Sequence, residues 1–480
     1  MVRASFNVLP QFQLDRKLCS LPLNKHQNTV NIRVLTFLVL TFVASVQAQV
    51  NWPQFRGPGS FGRGADGSGL PDTWDQNTHI AWKSSVPGLG WSSPIVWGNQ
   101  IFFTTVVSDG EVEAPKKGLY FGGDRPNPPE AVHHWLVLCY DFETGALQWK
   151  QELKSGAPAS SVHVKNTFAS ETAVTDGEHL YVYFGYQGLY CLDLKGEVVW
   201  QKNWEPFKTR LGWGTSASPV LHGDRVYVVN DNMEDHSYLA AYNKYTGKEV
   251  WRQPRDEPSN FSTPLIWENE QRTEIITTGV NKTRSYDLSG KLLWEFEGMS
   301  TICIPTPFAE DGLLYVGAGY VGDRLPINKP VYAIRAGASG DISLEKGARE
   351  SEFIVWRETN ASSYNPSHLL YKKKFYVLWD FGFLSCRDAL TGVEIYDKQR
   401  VNPRGRVAFT VSPWAYDDKI FCLSEDGDTY VFQAGHDFKL LRVNALDEMC
   451  MASPAIVRGS LIVRTDKSLY RITNHPVTKL

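Results

Sequence analysis

Ser216-Ala217-Ser218-Pro219-Val220-Leu221, His222-Gly223-Asp224 and Arg225-Val226-Tyr227-Val228-Val229 are followed by Tyr238-Leu239-Ala240-Ala241-Tyr242, Tyr245-Thr246-Gly247 and Lys248-Glu249-Val250-Trp251. Together these segments are one complete structural unit. A Ser/Thr-x-Pro-like opening leads into an apolar strand, a tight turn, a second apolar strand and a third. A Thr-Gly turn then leads into a closing strand that carries Trp. Short apolar runs rich in Val and Tyr and punctuated by Gly and Asp read as β-strands joined by turns.

The unit recurs along the chain. Its opening position falls at Pro94, Thr172 (where Pro is replaced), Pro219, Pro264, Pro307, Pro366, Pro413 and Pro454. Its closing position falls at Trp149, Trp200, Trp251, Trp294 and Trp356, then at Tyr396 and Leu441. The eighth unit, from Met451 to Ile472, lacks a fourth strand and a closing Trp, whereas His79-Ile80-Ala81-Trp82-Lys83 is a strand with an orphan Trp ahead of the first unit. The N-terminal strand supplies what the last unit lacks, and the array closes into a ring. Residues 81–475 give roughly 49 residues per unit, near the 40–45 of four-stranded propeller blades. Closure removes the exposed sheet edges that an open β-sandwich array would leave. The sequence therefore predicts an all-β, eight-bladed β-propeller of four-stranded antiparallel blades over 79–475, closed by the N-terminal strand. The periodic Trp is expected to pack on the neighbouring blade, and Gly145, Gly247 and Gly392 to supply positive φ in the hairpins.

Composition agrees with this reading. The 16 Trp, 21 Tyr and 24 Phe favour strands, and the 39 Gly and 26 Pro favour many tight connections. Lys+Arg 49 against Asp+Glu 52 leaves a net charge of -3, with no basic excess for phosphates, so nucleic acid is not an expected partner.

Residues 34–43, VLTFLVLTFV, follow Arg33 and precede Ala44-Ser45-Val46-Gln47-Ala48. An apolar core this short, before small residues, reads as a secretory signal cleaved near Ala48, with no stable membrane insertion afterwards. Residues 1–48 are thus a leader, although residues 1–30 are unusually long for one, and 49–78 are an extended arm. An exported protein, periplasmic or extracellular, is expected. Beyond the leader stand Cys139, Cys191, Cys303, Cys386, Cys422 and Cys450, mostly inside apolar strand patterns, and they read as buried free thiols.

The repeat resembles the pyrroloquinoline-quinone (PQQ) type propeller repeat, whose hallmark is Ala-x-Asp-x-x-Thr-Gly-x-x-x-Trp. Cys139-Tyr140-Asp141-Phe142-Glu143-Thr144-Gly145-Ala146-Leu147-Gln148-Trp149 is a close copy, and Leu192 to Trp200 is a shortened one. The stretch Trp52 to Pro58, WPQFRGP, resembles the opening of exported bacterial proteins described as PQQ-binding-like or outer-membrane-assembly-factor-B-like. The resemblance implies two activities. Quinoprotein dehydrogenases use PQQ with Ca²⁺, an Asp base, Glu and Asn ligands and commonly adjacent cysteines, which this chain lacks. Assembly-factor members are non-catalytic and bind a partner through the propeller loops. Fold supports both and decides neither.

Other motifs carry little. Gly57-Pro58-Gly59-Ser60-Phe61-Gly62 fits G-x-G-x-x-G but lies in a turn-rich arm with no strand before it or helix after it. His133-His134, with Asp124 upstream, border a long insertion at about 106–133, and adjacent His on a strand point apart. Asp231 to His236 reads as a solvated acidic turn rather than a Ca²⁺ loop. No metal site is predicted.

The connections from a closing Trp to the next opening Pro border the central channel and are rich in functional groups. They bring forward Trp91, His163, Lys165, Glu171, Arg210, Trp213, Asn260, Asn365 and Arg406 as candidate ligand-binding residues. Arg and Lys beside aromatic planes suit an anionic or planar ligand. The competing reading pairs Glu171 with Lys165 or Arg210 and locks blades together. The preferred function is an exported non-catalytic propeller binding a partner protein or small ligand on its channel face. The alternatives are a PQQ/Ca²⁺-dependent dehydrogenase of alcohols or sugars, with Glu171 and Asn260 among its ligands, and a carbohydrate-binding propeller using Trp91 and Trp213.

Overall fold

The computed structural model describes residues 50–322 and 328–475; the leader and its apolar run lie outside them. The described residues form eight antiparallel sheets that follow one another along the chain as the blades of a propeller. Blade 1 comprises Ile95–Trp97, Gln100–Ser108, His133–Asp141 and Leu147–Gly156. Blade 3, the unit quoted above, comprises Val220–His222, Arg225–Asn230, Tyr238–Asn243 and Glu249–Pro254. Blade 8 takes Ala455–Val457, Ser460–Arg464 and Ser468–Thr473 from the C-terminal end and Ile80–Ser85 from the N-terminal end. Trp82 stands opposite Arg471 and Ser85 opposite Ser468. Blade 4 has a fifth strand, Gly340–Asp341, added parallel to its outer edge by a chain segment from blade 5.

Burial follows position in the blade. The second and third strands are covered on both faces and are mostly apolar, as in Val226 to Val229 and Leu239 to Tyr242, although blade 4 buries Glu274 and Arg284 there. The outermost strand Glu249–Pro254 alternates between half-buried and exposed residues because one face meets water. The apolar cores are shared between blades: one joins Ile95, Val137 and Leu180 from blades 1 and 2, and another joins Tyr181, Leu189 and Val226 from blades 2 and 3. All six described cysteines are free and buried.

The closing Trp docks on the next blade through one repeated contact. The indole N–H of Trp82 donates to Phe142 O, Trp149 to Leu194 O, Trp200 to Lys244 O, Trp251 to Leu288 O and Trp356 to Ala389 O. Each acceptor directly follows an Asp or Asn whose side chain caps the same turn, as Asp141 does with the Thr144 amide at 2.8 Å. The ring lies against the turn glycine: a Cβ on Gly145 would stand 2.5 Å from Trp82, and one on Gly247 2.5 Å from Trp200. These glycines therefore serve both positive φ (70° at Gly145, 66° at Gly247) and close approach. Trp294 departs from the pattern and donates to Glu274 inside its own blade. The interface it would have covered is the one where Gly340–Asp341 joins the sheet.

At the axis, backbone and hydroxyl groups link neighbouring blades. The Ser93 amide donates to Thr172 Oγ1, Thr172 to Ser218 Oγ and Ser218 to Thr263 Oγ1. On the other side Thr306 donates to Ser367, Ser367 to Ser412, Ser412 to Ser453 and Ser453 back to Ser93, all between 2.9 and 3.2 Å. The ring corrects the register of two units. Unit two places Thr172 itself in the ring, so Ala173 stands where Pro is found elsewhere. In unit six the ring residue is Ser367, so His368, not Pro366, occupies the proline position. His368 is fully buried, accepts or donates at Ser362 Oγ (2.9 Å), and burial holds its imidazole down to about 3.

Candidate functional site

The axial cavity of about 200 Å³ is lined by all eight ring hydroxyls, with Phe55 from the N-terminal arm and with aromatic side chains from the loops, among them Trp91, Trp213, Phe261 and Tyr364. Chain outside the repeat crosses both ends. At the turn face the arm is stitched onto the innermost strands: Trp52 pairs with Val96, the Thr175 amide donates to Pro53 O, and the Gly64 amide donates to Ala415 O. Arg56 is buried there. Its guanidinium donates to the carbonyls of Ser60 (3.0 Å), Phe61 (3.2 Å), Ser367 (3.4 Å) and His368 (2.6 Å) and meets no carboxylate. Burial, helped by the nearby Arg63, lowers it to about 9.

At the loop face, the blade 1 insertion crosses the mouth. The Arg125 amide donates to Leu211 O and the Trp213 indole to Gly123 O, both at 2.9 Å. Further along, the Gly118 amide donates to Glu425 Oε2 at 2.6 Å, and Lys117 pairs with Asp426. Leu119 and Tyr120 thereby reach the cavity, and Phe121 meets Trp213 edge-on with centroids 6.0 Å apart.

Five of the nine residues singled out from the sequence line this cavity: Trp91, His163, Lys165, Trp213 and Asn365. Trp91 donates to Lys165 O at 2.9 Å. His163 lies edge-on to Trp213 at 4.9 Å, and burial lowers its pKa. Lys165 Nζ meets Glu425 Oε1 at 2.5 Å and Thr410 Oγ1 at 3.1 Å. Asn365 donates through its side chain to Asp380 Oδ1 at 2.7 Å, which also accepts the Asn365 amide.

The other four stand away from the cavity. Glu171 is buried behind the ring and accepts from Thr215, so the expected pairing with Lys165 or Arg210 does not form. Without a cation beside it, burial pushes its carboxyl up to about 7. Arg210 donates to Thr301 O and lies over Tyr320. Asn260 bridges Thr278 O and the Cys303 amide between blades. Arg406 is exposed on its loop. In each case the neighbouring residue, or none, faces the axis: Ser170 and Thr172 line the cavity on either side of Glu171. The acidic turn at 231–236 is likewise not solvated throughout, because Asp231 is fully buried in a two-point contact with Arg255. Sequence reasoning missed Phe55 and Glu425. Phe55 sits in the quoted WPQFRGP stretch; Glu425 lies in a blade 7 turn and carries no local signal.

A calcium or lanthanide ion prefers carboxylate oxygens, and no Asp or Glu lines the cavity among the described residues. The adjoining carboxylates are already engaged, Glu425 by Lys165, Thr410 and Gly118, and Asp380 by the Tyr364 and Asn365 amides. The lining therefore does not fit a PQQ–metal pair.

Residues 134–295, from the third strand of blade 1 to the close of blade 4, match the family model described as outer membrane protein assembly factor BamB. The search of curated proteins found no match. Among solved structures, BamB from Moraxella catarrhalis is similar with a TM-score of 0.50 and 14% identity, covering 78% of this chain and 99% of that one. The quinohemoprotein alcohol dehydrogenase from Comamonas testosteroni gives 0.52 and 11%, covering 90% and 82%. A europium-containing methanol dehydrogenase gives 0.53 and 11%, covering 87% and 88%. At such identities the likeness speaks to fold alone. The chain is an eight-bladed propeller of the PQQ-like repeat type, with a BamB-like family match across residues 134–295.

Proposed function

We propose that the protein is an exported, non-catalytic propeller that binds a small ligand, or a group presented by a partner protein, in its axial channel through the loop-face mouth. One observation carries this reading. The cavity is built of hydroxyls, aromatic rings, the Asn166 and Asn365 amides, the His163 imidazole and a single Lys already paired with Glu425, with no carboxylate or thiol in its lining among the described residues. Such a lining holds a ligand by shape and hydrogen bonding. Its one imidazole accepts the Lys165 amide at 3.2 Å and lies against Trp213 with no carboxylate beside it among the described residues, which leaves neither an acid–base pair nor an activated nucleophile.

Purified protein mixed with PQQ and Ca²⁺ and then gel-filtered tests the reading. A protein peak free of quinone absorbance, and no dye-linked oxidation of alcohols or sugars, are expected. Stoichiometric co-elution of quinone, with substrate-dependent dye reduction, would overturn it. Export is checked separately by N-terminal sequencing of the protein recovered outside the cytoplasm, which should begin at Gln49.

A further inference from the structure

Eight buried hydroxyls ring the waist of the channel. Seven of them accept an amide from the neighbouring blade, and none donates its own proton to a protein acceptor among the described residues. A hydroxyl carries one donor and two acceptor positions, so each ring member keeps a proton uncommitted. Other hydroxyls on the same cavity behave differently. Ser170 donates to Asn166 Oδ1, Ser216 to Phe261 O and Thr410 to Glu425. The Tyr120 and Tyr364 phenols on the loop side of the lining likewise donate to no protein acceptor among the described residues, but only the ring gathers eight such donors at one level, every member more than nine-tenths buried.

Behind the ring stand two guanidiniums and, beside Thr172, the Glu171 carboxyl, which accepts from Thr215 and lies outside the cavity lining. Arg56 contacts the carbonyls of Ser367 and His368, at a ring member and its neighbour. Arg464 donates to Ser92 O at 3.1 Å, beside ring member Ser93, and to Thr104 O at 2.7 Å, while its Nε finds no partner. Neither guanidinium touches a carboxylate among the described residues, and burial lowers both to about 9. Buried cations bonded only to neutral oxygens are stabilised by a nearby anion. On the loop side of the ring, Trp91, Trp213 and Tyr364 offer apolar and aromatic surface.

We infer that the hydroxyl ring is an oxyanion site, and that the channel takes a small organic acid head-first, its carboxylate or phosphate at the ring and its apolar body between the loop aromatics. The assignment rests on the binding-channel reading above and names its ligand class. The ring donates to the oxyanion, and the two guanidiniums supply countercharge from behind.

Thr306 permits a clean test, because its hydroxyl lines the cavity yet accepts no interblade amide. Titration calorimetry on the purified full-length protein would compare benzoate, phenyl phosphate and the neutral isostere benzamide. At least one of the two acids should bind, with benzamide at least tenfold weaker. Thr306→Val should weaken the acid at least threefold without moving the melting temperature, and Thr306→Ser should restore it. Equal affinity for benzoate, phenyl phosphate and benzamide, unchanged affinity in Thr306→Val, or no binding of any probe would overturn the oxyanion site. Stoichiometric quinone retention would instead overturn the non-catalytic reading, so the two failures are distinct. If Thr306→Val unfolds, the benzamide comparison on the wild-type protein still decides the matter.

Discussion

The two ends of the channel are crossed by chain that belongs to no blade, yet they are held in opposite ways. The turn-face floor is sewn in by backbone pairing of Trp52 with Val96, by amide bonds at Thr175 and Gly64, and by a buried Arg56 that satisfies four carbonyls. The loop-face roof has isolated backbone bonds, from Arg125 to Leu211 O and from Lys116 to Val164 O, and otherwise leans on Glu425, on the Trp213 indole and on exposed pairs such as Lys117–Asp426. Phe121, beside Trp213, is 66% exposed. Buried backbone bonds and packed aromatics cost several kcal/mol to undo, whereas exposed ion pairs contribute little. The floor is therefore the more firmly anchored end and the roof the weaker one.

The sharpest way to break this comparison is at the floor. Trp52 is 1% exposed and lies under Gly57, so Trp52→Ala should lower stability by about 3–5 kcal/mol in chemical denaturation. A loss below about 1 kcal/mol would mean that the floor is as loosely attached as the roof.

Glu171 places a pH dependence in the loop-face half. Its folded carboxyl is raised to about 7 by burial, above the ordinary value of about 4.3. Between those values the folded chain binds more protons than the unfolded one, so this group's contribution to stability falls as pH rises through that window. Glu171→Gln should therefore be more stable than wild type at pH 8, by on the order of 3 kcal/mol, and equal to it at pH 4. Amide exchange in 157–172 should slow in the variant at pH 8. A pH-independent difference would refute the assignment.

Glu425 joins the roof to the channel wall, holding Lys165 on one oxygen and the Gly118 amide on the other. Glu425→Gln should cost on the order of 2 kcal/mol, less than truncation because the amide oxygen still accepts. It should also speed exchange across 115–123 while leaving 52–64 unchanged. The smallest effect belongs to Lys117→Ala, which removes a half-exposed pair. Here global stability should change by less than about 0.5 kcal/mol, while limited proteolysis in the insertion rises. Faster cleavage in the arm instead would reverse the comparison.

The ring was legible because its cues are local and repeated. An opening Ser/Thr-x-Pro, a turn Gly and a closing Trp recur in most units, and the closing Trp, Trp294 excepted, reports a contact with the adjacent blade. The orphan Trp82 announced ring closure in the same way. Where a cue depends on a single residue's direction, legibility ended. Glu171 sits between two cavity-lining neighbours and points away from both, and in unit six a proline two residues early masked the ring position taken by Ser367. The arm's destination was not visible because Arg56 finds partners more than 300 residues onward, and no local pattern encodes such a meeting.

The pairing of Ile80–Ser85 with Ser468–Thr473 also has a consequence for the order of events in the cell. Domains ordinarily begin to fold as they leave the ribosome, N-terminal part first. Here Ile80–Ser85 must wait for a partner made almost 400 residues later, because blade 8 lacks its outer strand until both exist. Seven blades have all their own strands in sequence before then, but the circle stays open until Ser468–Thr473 has been made. An interruption late in translation, even after residue 450, would leave Trp82 and the apolar flank of blade 1 without their neighbour. The propeller's commitment to its final form is thus set by the three strands between Ala455 and Thr473.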